Sequence, residues 1–258
     1  MAGEFQKPNP ELQISTQRPV SGSIFLVGPT ASGKSSVALA LAERLGGEII
    51  SADSMQVYRG LDIGTAKPSA AERARVPHHL IDVVELTAAF DAAKFVEHAR
   101  RAEAEILARS RVPIFCGGTG LYLKAYLEGL GEAPPPDAAV RQELEATPLD
   151  VLLRELQQRD PVTYDRIDRQ NPRRVVRALE VIRLTGQPFS KQRADWQPLS
   201  TLSPQPSTLL GLQRASADLH ARIHARVDEM FARGLVEETR ALLPLGLEQN
   251  RTAMQAIG

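Results

Sequence analysis

The segment that most restricts this chain is residues 23–45, SIFLVGPTASGKSSVALALAERL. It joins a short apolar run to a helix-period stretch through Gly28, Pro29, Thr30, Ala31, Ser32, Gly33, Lys34 and Ser35. Those residues fit the phosphate-loop pattern G-x-x-x-x-G-K-S/T without deviation. The context matters more than the match, because a buried strand feeds the loop and a helix leaves it. The glycines let backbone N–H groups converge on phosphate oxygens, and the helix N-terminus adds about half a positive charge. Lys34 is placed to neutralise a terminal phosphate, and the Ser35 hydroxyl is a natural Mg²⁺ ligand. The bland alternative is a glycine turn that merely joins strand to helix, and both flanks argue against it. The loop specifies a diphosphate or triphosphate, but neither a nucleotide nor the bond that breaks.

The same strand, glycine turn and helix recur. Val37, Leu41 and Leu45 recur every four residues and mark a helix face over 34–45, which Gly46 and Gly47 stop. A strand is expected over 48–52, and a helix over 87–110 with Phe95, Ala99, Ala102 and Ile106 on one face. A buried strand over 112–116 carries Pro113 near its start, where proline is tolerated. Gly117 and Gly118 follow, and a helix opens near Thr119. This pattern predicts an α/β fold with a P-loop NTPase-like parallel sheet flanked by helices. Around Gly131 the texture changes to three consecutive prolines and then a helical pattern. A small inserted helical domain is therefore expected over 131–168. Pro172 then opens a helix through Thr185, with Val175, Leu179 and Ile182 as its apolar face. Residues 187–206 read as a loop holding the only tryptophan, 208–212 as a last strand, and 217–234 and 235–243 as helices. The core domain is thus expected over 22–130 and 169–258, behind a polar, proline-containing leader, 1–21, read as disordered.

With 31 basic and 31 acidic residues, the chain has no net charge that would advertise a nucleic-acid partner. Only a local patch could serve. Residues 154–193 hold ten Lys or Arg against five acids, a local charge of +5. Such a stripe can track a phosphate backbone, form a solvated helix face with internal ion pairs, or close as a lid over a diphosphate. No apolar run approaches the ~20 residues that span a bilayer, and the N-terminus lacks a signal-peptide pattern. A single cysteine, Cys116, excludes an internal disulfide. A cytoplasmic monomer without membrane contact is expected.

Two further residues share the sheet edge predicted for the phosphate loop. Asp53 lies just past the second strand, where a carboxylate can take a proton, hold Mg²⁺ through water, or cap a turn. Thr119 follows the third strand, where its hydroxyl can meet a phosphate oxygen or simply cap a helix. His78 and His79 are adjacent and lack a third ligand at suitable spacing, so a structural role is expected. Cys116, at a strand end, reads as packing rather than nucleophile.

Taken in order, GPTASGKS, SADSMQVYRGLDIGTAKP, VPHHLID, CGGTGLYLKAYLEGL and RRVVRALEVIRLTG resemble the tRNA dimethylallyltransferases, also called tRNA isopentenyltransferases. The likeness runs from Ile24 to the end of the chain. It implies transfer of a dimethylallyl group from dimethylallyl diphosphate, with Mg²⁺, to N6 of the adenosine beside the anticodon of tRNA. It further implies that residues 28–35 hold the donor diphosphate. Asp53 would act as general base, and Thr119 would support the leaving oxygen. Asp53, Ser54, Met55, Gln56, Arg141, Arg173, Arg174 and Arg177 fall where that family contacts the tRNA anticodon stem-loop. The chain departs from the family's Asn-Asp-Pro at Gln170, Asn171 and Pro172, and its insert is short. Members usually continue past AMQAIG, so a longer natural chain is expected. The alternative is a small-molecule kinase of the shikimate or adenylate kinase type, using the same loop for ATP and the arginines as a lid.

Overall fold

The computed structural model describes residues 22–130, 133–192, 207–250 and 252–256. The expected leader and most of the Trp196 loop lie outside the described residues. Strand β1 (Ile24–Val27) runs into the phosphate loop, and α1 (Lys34–Leu45) leaves it. Gly46 stops α1 in the left-handed region, with φ 62°, and its N–H donates to Ala42 O. Then come β2 (Glu48–Ser51), α2 (Ala70–Arg75) and β3 (His78–His79). Next are α3 (Ala92–Ala108), β4 (Pro113–Cys116) and α4 (Gly120–Glu128). Four helices and a short turn follow: α5 (Ala138–Ala146), α6 (Leu149–Arg159), α7 (Pro161–Arg166), α8 (Pro172–Thr185) and α9 (Phe189–Gln192). Strand β5 (Thr208–Gly211), α10 (Ser216–Ala232) and α11 (Leu235–Leu242) close the chain with three short 3-10 turns.

The five strands lie in the order β3-β2-β4-β1-β5 and all pair in parallel. Every carboxyl end therefore opens on one edge, the ligand-binding edge of such sheets. Side chains alternate across the sheet as the strand period demands. Ile24, Leu26, Ile49 and Ile114 pack with Ala38, Leu39 and Ala42 of α1. Phe25, Ile50 and Phe115 face α3 and α4, where Phe25 stacks on Phe115 at 4.5 Å.

Several elements depart from what apolar spacing alone predicts. Val37 is 36% exposed, and α1 buries Ala38, Leu39 and Ala42 instead. The helix expected from residue 87 starts at Ala92, because the Asp91 side chain accepts from the Ala93 and Lys94 amides and caps it. Strand β3, of two residues, is too short to carry a sequence periodicity. Helix α2 is a short exposed turn set by a Ser69–Glu72 capping box. The expected burial of Phe95, Ala99, Ala102 and Ile106, and of Val175, Leu179 and Ile182, is present.

The inserted segment is helical, but packing groups α8 with it rather than with the α/β core to which the sequence reading gave residues 169–258. Leu144, Leu152 and Leu156 of α5 and α6 form one cluster with Val175, Ala178, Leu179 and Ile182 of α8. Most of the α8 apolar face is buried in that cluster.

Candidate active site

The carboxyl edge of the sheet carries a cavity of about 500 Å³, a size typical of small-ligand sites. The phosphate loop forms one wall through Thr30, Ala31, Ser32, Gly33, Lys34 and Ser35. Gly28 stands behind that wall, and glycine is required there. Its φ is 155°, and a Cβ would lie 2.8 Å from Leu212 O at the end of the neighbouring strand. Gly33, with φ 95°, turns the chain into α1. Lys34 Nζ donates to Gly28 O at 2.7 Å and to Pro29 O at 2.6 Å, so it crosses the mouth of its own loop. Burial is the largest influence on Lys34 and lowers its pKa. The Asp53 carboxylate opposes that shift and the Arg226 guanidinium adds to it. Among the described residues no carboxylate bonds to this ammonium, which leaves its charge for an anion.

Asp53 forms the facing wall with Gln56. Its Oδ1 accepts from the Met55 amide at 2.8 Å and the Gln56 amide at 3.4 Å, an Asx-type turn that fixes the carboxylate. Its Oδ2 has no hydrogen-bond partner among the described residues, so one oxygen is held and the other is available to a proton. Gln56 is held in turn: its Oε1 accepts from Ser51 Oγ at 2.9 Å, and its Nε2 donates to Thr65 O at 3.1 Å.

Thr119 reaches this wall from β4. Gly117 allows the approach, since a Cβ there would lie 2.2 Å from Ala52 O. The Thr119 amide donates to Ala52 O at 3.2 Å, and its Oγ1 accepts from the Ser54 amide at 3.1 Å. Thr119 thus fastens the third loop to the second. Its side chain does not cap α4, the bland role that residue type often has. Gly117, Gly118 and Cys116 line the floor. Burial pushes the Cys116 thiol up to about 11, so it stays protonated and does not serve as a nucleophile at neutral pH.

The phosphate loop, Asp53 and Gln56 therefore share one cavity; Thr119 and Ser54 bond each other beside it without lining it, and Met55 packs partly against the core. The expected arginines do not come to this cavity. Arg141 and Arg177 both bond the fully buried Glu180, at 2.7 and 2.6 Å, and Arg177 also donates to Pro134 O. Arg173 and Arg174 are exposed on the first turn of α8.

Comparison with known proteins decides the family. A family model described as IPP transferase matches residues 56–258, and one described as isopentenyl transferase matches residues 22–87. The chain is 48% identical over 242 residues to a tRNA dimethylallyltransferase of Methylibium petroleiphilum, covering 92% of this chain and 74% of that protein. It is 50% identical over 241 residues to one of Halorhodospira halophila, covering 91% and 77%. The chain belongs to the tRNA dimethylallyltransferase family. Solved tRNA dimethylallyltransferases share its fold. A tRNA isopentenylpyrophosphate transferase of Bacillus halodurans matches with TM-score 0.60 and 39% identity, over 90% of this chain and 73% of that one. A eukaryotic dimethylallyltransferase acting on tRNA matches with TM-score 0.72 and 30% identity, over 89% and 57%. Membership of the tRNA dimethylallyltransferases disfavours the small-molecule kinase, whose donor loop would look the same.

In this tRNA dimethylallyltransferase family member a second set of cations, not among those expected from the sequence, reaches the phosphate loop. Arg214, just past β5, donates from Nε to Ser32 O at 2.8 Å, and Arg222 of α10 donates to Ala31 O at 2.9 Å. Arg222 and Arg226 line the cavity opposite Lys34. The signal was available: β5 ends on the same edge, and arginines four apart on the next helix face one way. His78 also lines the cavity, with Nδ1 bonded to Val76 O at 2.7 Å and its pKa lowered mainly by burial. His79 instead pairs with the buried Glu48 at 2.7 Å, the structural role expected of it.

Proposed function

We infer that this protein transfers a dimethylallyl group from dimethylallyl diphosphate to N6 of the adenosine beside the anticodon of tRNA, releasing diphosphate. The observation that carries this reading is the meeting of a complete phosphate loop with an anchored carboxylate, Asp53, across one cavity, in a chain 48% identical to proteins of that name.

The largest chemical task is to stabilise the departing diphosphate. As the donor C–O bond breaks, its electron pair goes to a diphosphate oxygen. The loop amides and Lys34 face that oxygen, with Arg222 and Arg226 opposite. Mg²⁺, when bound, neutralises phosphate charge as a Lewis acid. The residues fit such an ion: Ser35 opens α1 inside the cavity. Among the described residues no cluster of three His, Cys, Asp or Glu could cage a metal. Ser35 would be the protein ligand of a magnesium ion, which needs few protein ligands where a phosphate substrate is bound.

The acceptor amine is a weak nucleophile because its lone pair is delocalised into the ring. Asp53 Oδ2 accepts the N6 proton as the C–N bond forms, while the Met55 amide holds Oδ1. Thr119 keeps Ser54, and hence the Asp53 loop, against the sheet edge, and its hydroxyl, bonded to Ser54 here, would turn to the leaving oxygen when the donor binds. The adenine must leave its stack to reach this point, which costs a few kcal/mol and is easiest from a loop. Asp53, Ser54, Met55 and Gln56 would meet the flipped base. Exposed Arg173 and Arg174 would meet backbone phosphates, with the helical unit presenting them and Arg141 and Arg177 bracing it. No described helix is long and apolar enough to cross a membrane.

Incubation with dimethylallyl diphosphate and tRNA, followed by mass analysis of the digested nucleosides, tests this. A prenylated adenosine is expected. Turnover of ATP with a small acceptor and no modified nucleoside would overturn the reading.

A further inference from the structure

Glu238 lies in the first turn of α11, outside the cavity, yet it is bonded into the loop that backs the acceptor wall. Its Oε2 accepts from the Asp62 amide at 3.0 Å and the Ile63 amide at 2.7 Å, and its Oε1 accepts from the Gly64 amide at 3.0 Å. Three successive N–H groups turned toward one anion form a nest, a backbone arrangement that favours negative charge. Such charge-assisted bonds are about twice as strong as neutral ones. Close packing fixes the geometry on both sides. A Cβ on Gly64 would lie 3.2 Å from Leu235, and one on Gly60 would lie 2.9 Å from Leu242.

The nest leads directly to the site. The next two residues, Thr65 and Ala66, turn their carbonyls to Gln56 Nε2, at 3.1 and 3.3 Å. Gln56 also accepts from Ser51 at the end of β2, and its amide donates to Asp53 Oδ1. An unbroken set of bonds therefore runs from α11, through residues 62–66 and Gln56, to Asp53. A loop that needed only to be covered would be served by apolar contacts from Leu235 and Leu242. A carboxylate reaching three amides fixes its position as well.

We propose that Glu238 is a positioning residue for prenyl transfer, pinning residues 62–66 so that Gln56 and Asp53 stay in register with the phosphate loop. This rests on the reading of Asp53 as the group that takes the N6 proton. Glu238 touches neither donor nor base, so its loss should slow chemistry while leaving diphosphate binding alone. The test uses the full chain under single-turnover conditions with saturating tRNA, normalised to sites that bind dimethylallyl diphosphate. Glu238→Gln turns an NH₂ toward backbone donors. It is expected to lower the rate constant roughly tenfold or more, while donor affinity changes less than about twofold. Glu238→Asp, which keeps the charge on a shorter arm, recovers part of the rate. Glu237→Gln, an exposed neighbour on the same helix, changes neither. A Glu238→Gln rate equal to wild type, an equal loss of donor affinity, or a Glu238→Asp rate no better than Glu238→Gln overturns the proposal. Absence of prenylated adenosine from the wild-type protein itself would instead overturn the reading beneath it.

Discussion

At the sheet edge, Lys34 bonds the carbonyls of Gly28 and Pro29, and Arg222 bonds the carbonyl of Ala31. In the helical unit, Arg141 and Arg177 converge on Glu180, and Arg183 spans Glu143 and Glu155. A cation held by a carbonyl dipole keeps its full charge and still attracts an anion. A cation held by a carboxylate is neutralised and serves the fold. The same residue types are thus ligand-directed in one region and structural in the other, and the partner atom decides which.

The sharpest way to break this comparison is to remove charges at the edge. Asp53→Ala is expected to lower single-turnover prenyl transfer by roughly 10²–10⁴-fold with dimethylallyl diphosphate binding nearly unchanged. Lys34→Ala should cost a comparable factor and weaken donor binding as well. Wild-type-like rates for Asp53→Ala would remove the acceptor wall from the account.

Next in size is Glu180. Glu180→Ala strands two guanidiniums and the Asp137 amide that donates to it. Because both guanidiniums are part exposed, the main loss is the buried acceptor of these bonds, about 1–3 kcal/mol, readable in urea denaturation. A smaller loss would mean that the arginines are less committed to the fold than their bonds indicate.

Arg174 and Arg177 then make a matched pair one turn apart on α8. Arg174→Ala should reduce the slope of log affinity for tRNA against log salt by about 1 and leave stability alone. Arg177→Ala should do the reverse. Equal slopes for both variants would end the distinction between exposed and bonded arginines.

The smallest effect is the acid limb of stability in the helical unit. Burial works to raise the Asp160 pKa, but hydrogen bonds from Thr163 and Ser190 outweigh it and hold it below the ordinary carboxylate value. Its stabilisation is full above its unfolded pKa of about 4 and is lost as pH falls through the lower folded value. Asp160→Asn should therefore flatten the stability profile below about pH 4.

How much of this was legible in the sequence follows the same division. The phosphate loop could be read because its function is a backbone geometry, and the glycines that geometry needs stand at fixed spacing. Asp53 and Thr119 could be placed on one edge because a parallel sheet brings strand ends together. Their bonds, such as Ser54 N–H to Thr119 Oγ1, could not be read. The fate of Arg141 and Arg177 was hidden because Glu180 reads as an ordinary helix residue until α5 folds over it. Arg222 shows only half of its role: its spacing of four from Arg226 is visible, but nothing local marks a helix that returns to the loop 191 residues away along the chain. His78–His79 was too short to show a strand period, and Asp91 moved a helix start that apolar spacing alone set too early.

The central claim is that carbon, not phosphorus, leaves the anion held by the phosphate loop. The most direct test follows labelled dimethylallyl diphosphate through one turnover with tRNA and measures released inorganic diphosphate against prenyl groups on adenosine. The account requires the two in equal amounts, with both abolished together in Lys34→Ala. A phosphorylated product, or diphosphate released without a prenylated base, would contradict it.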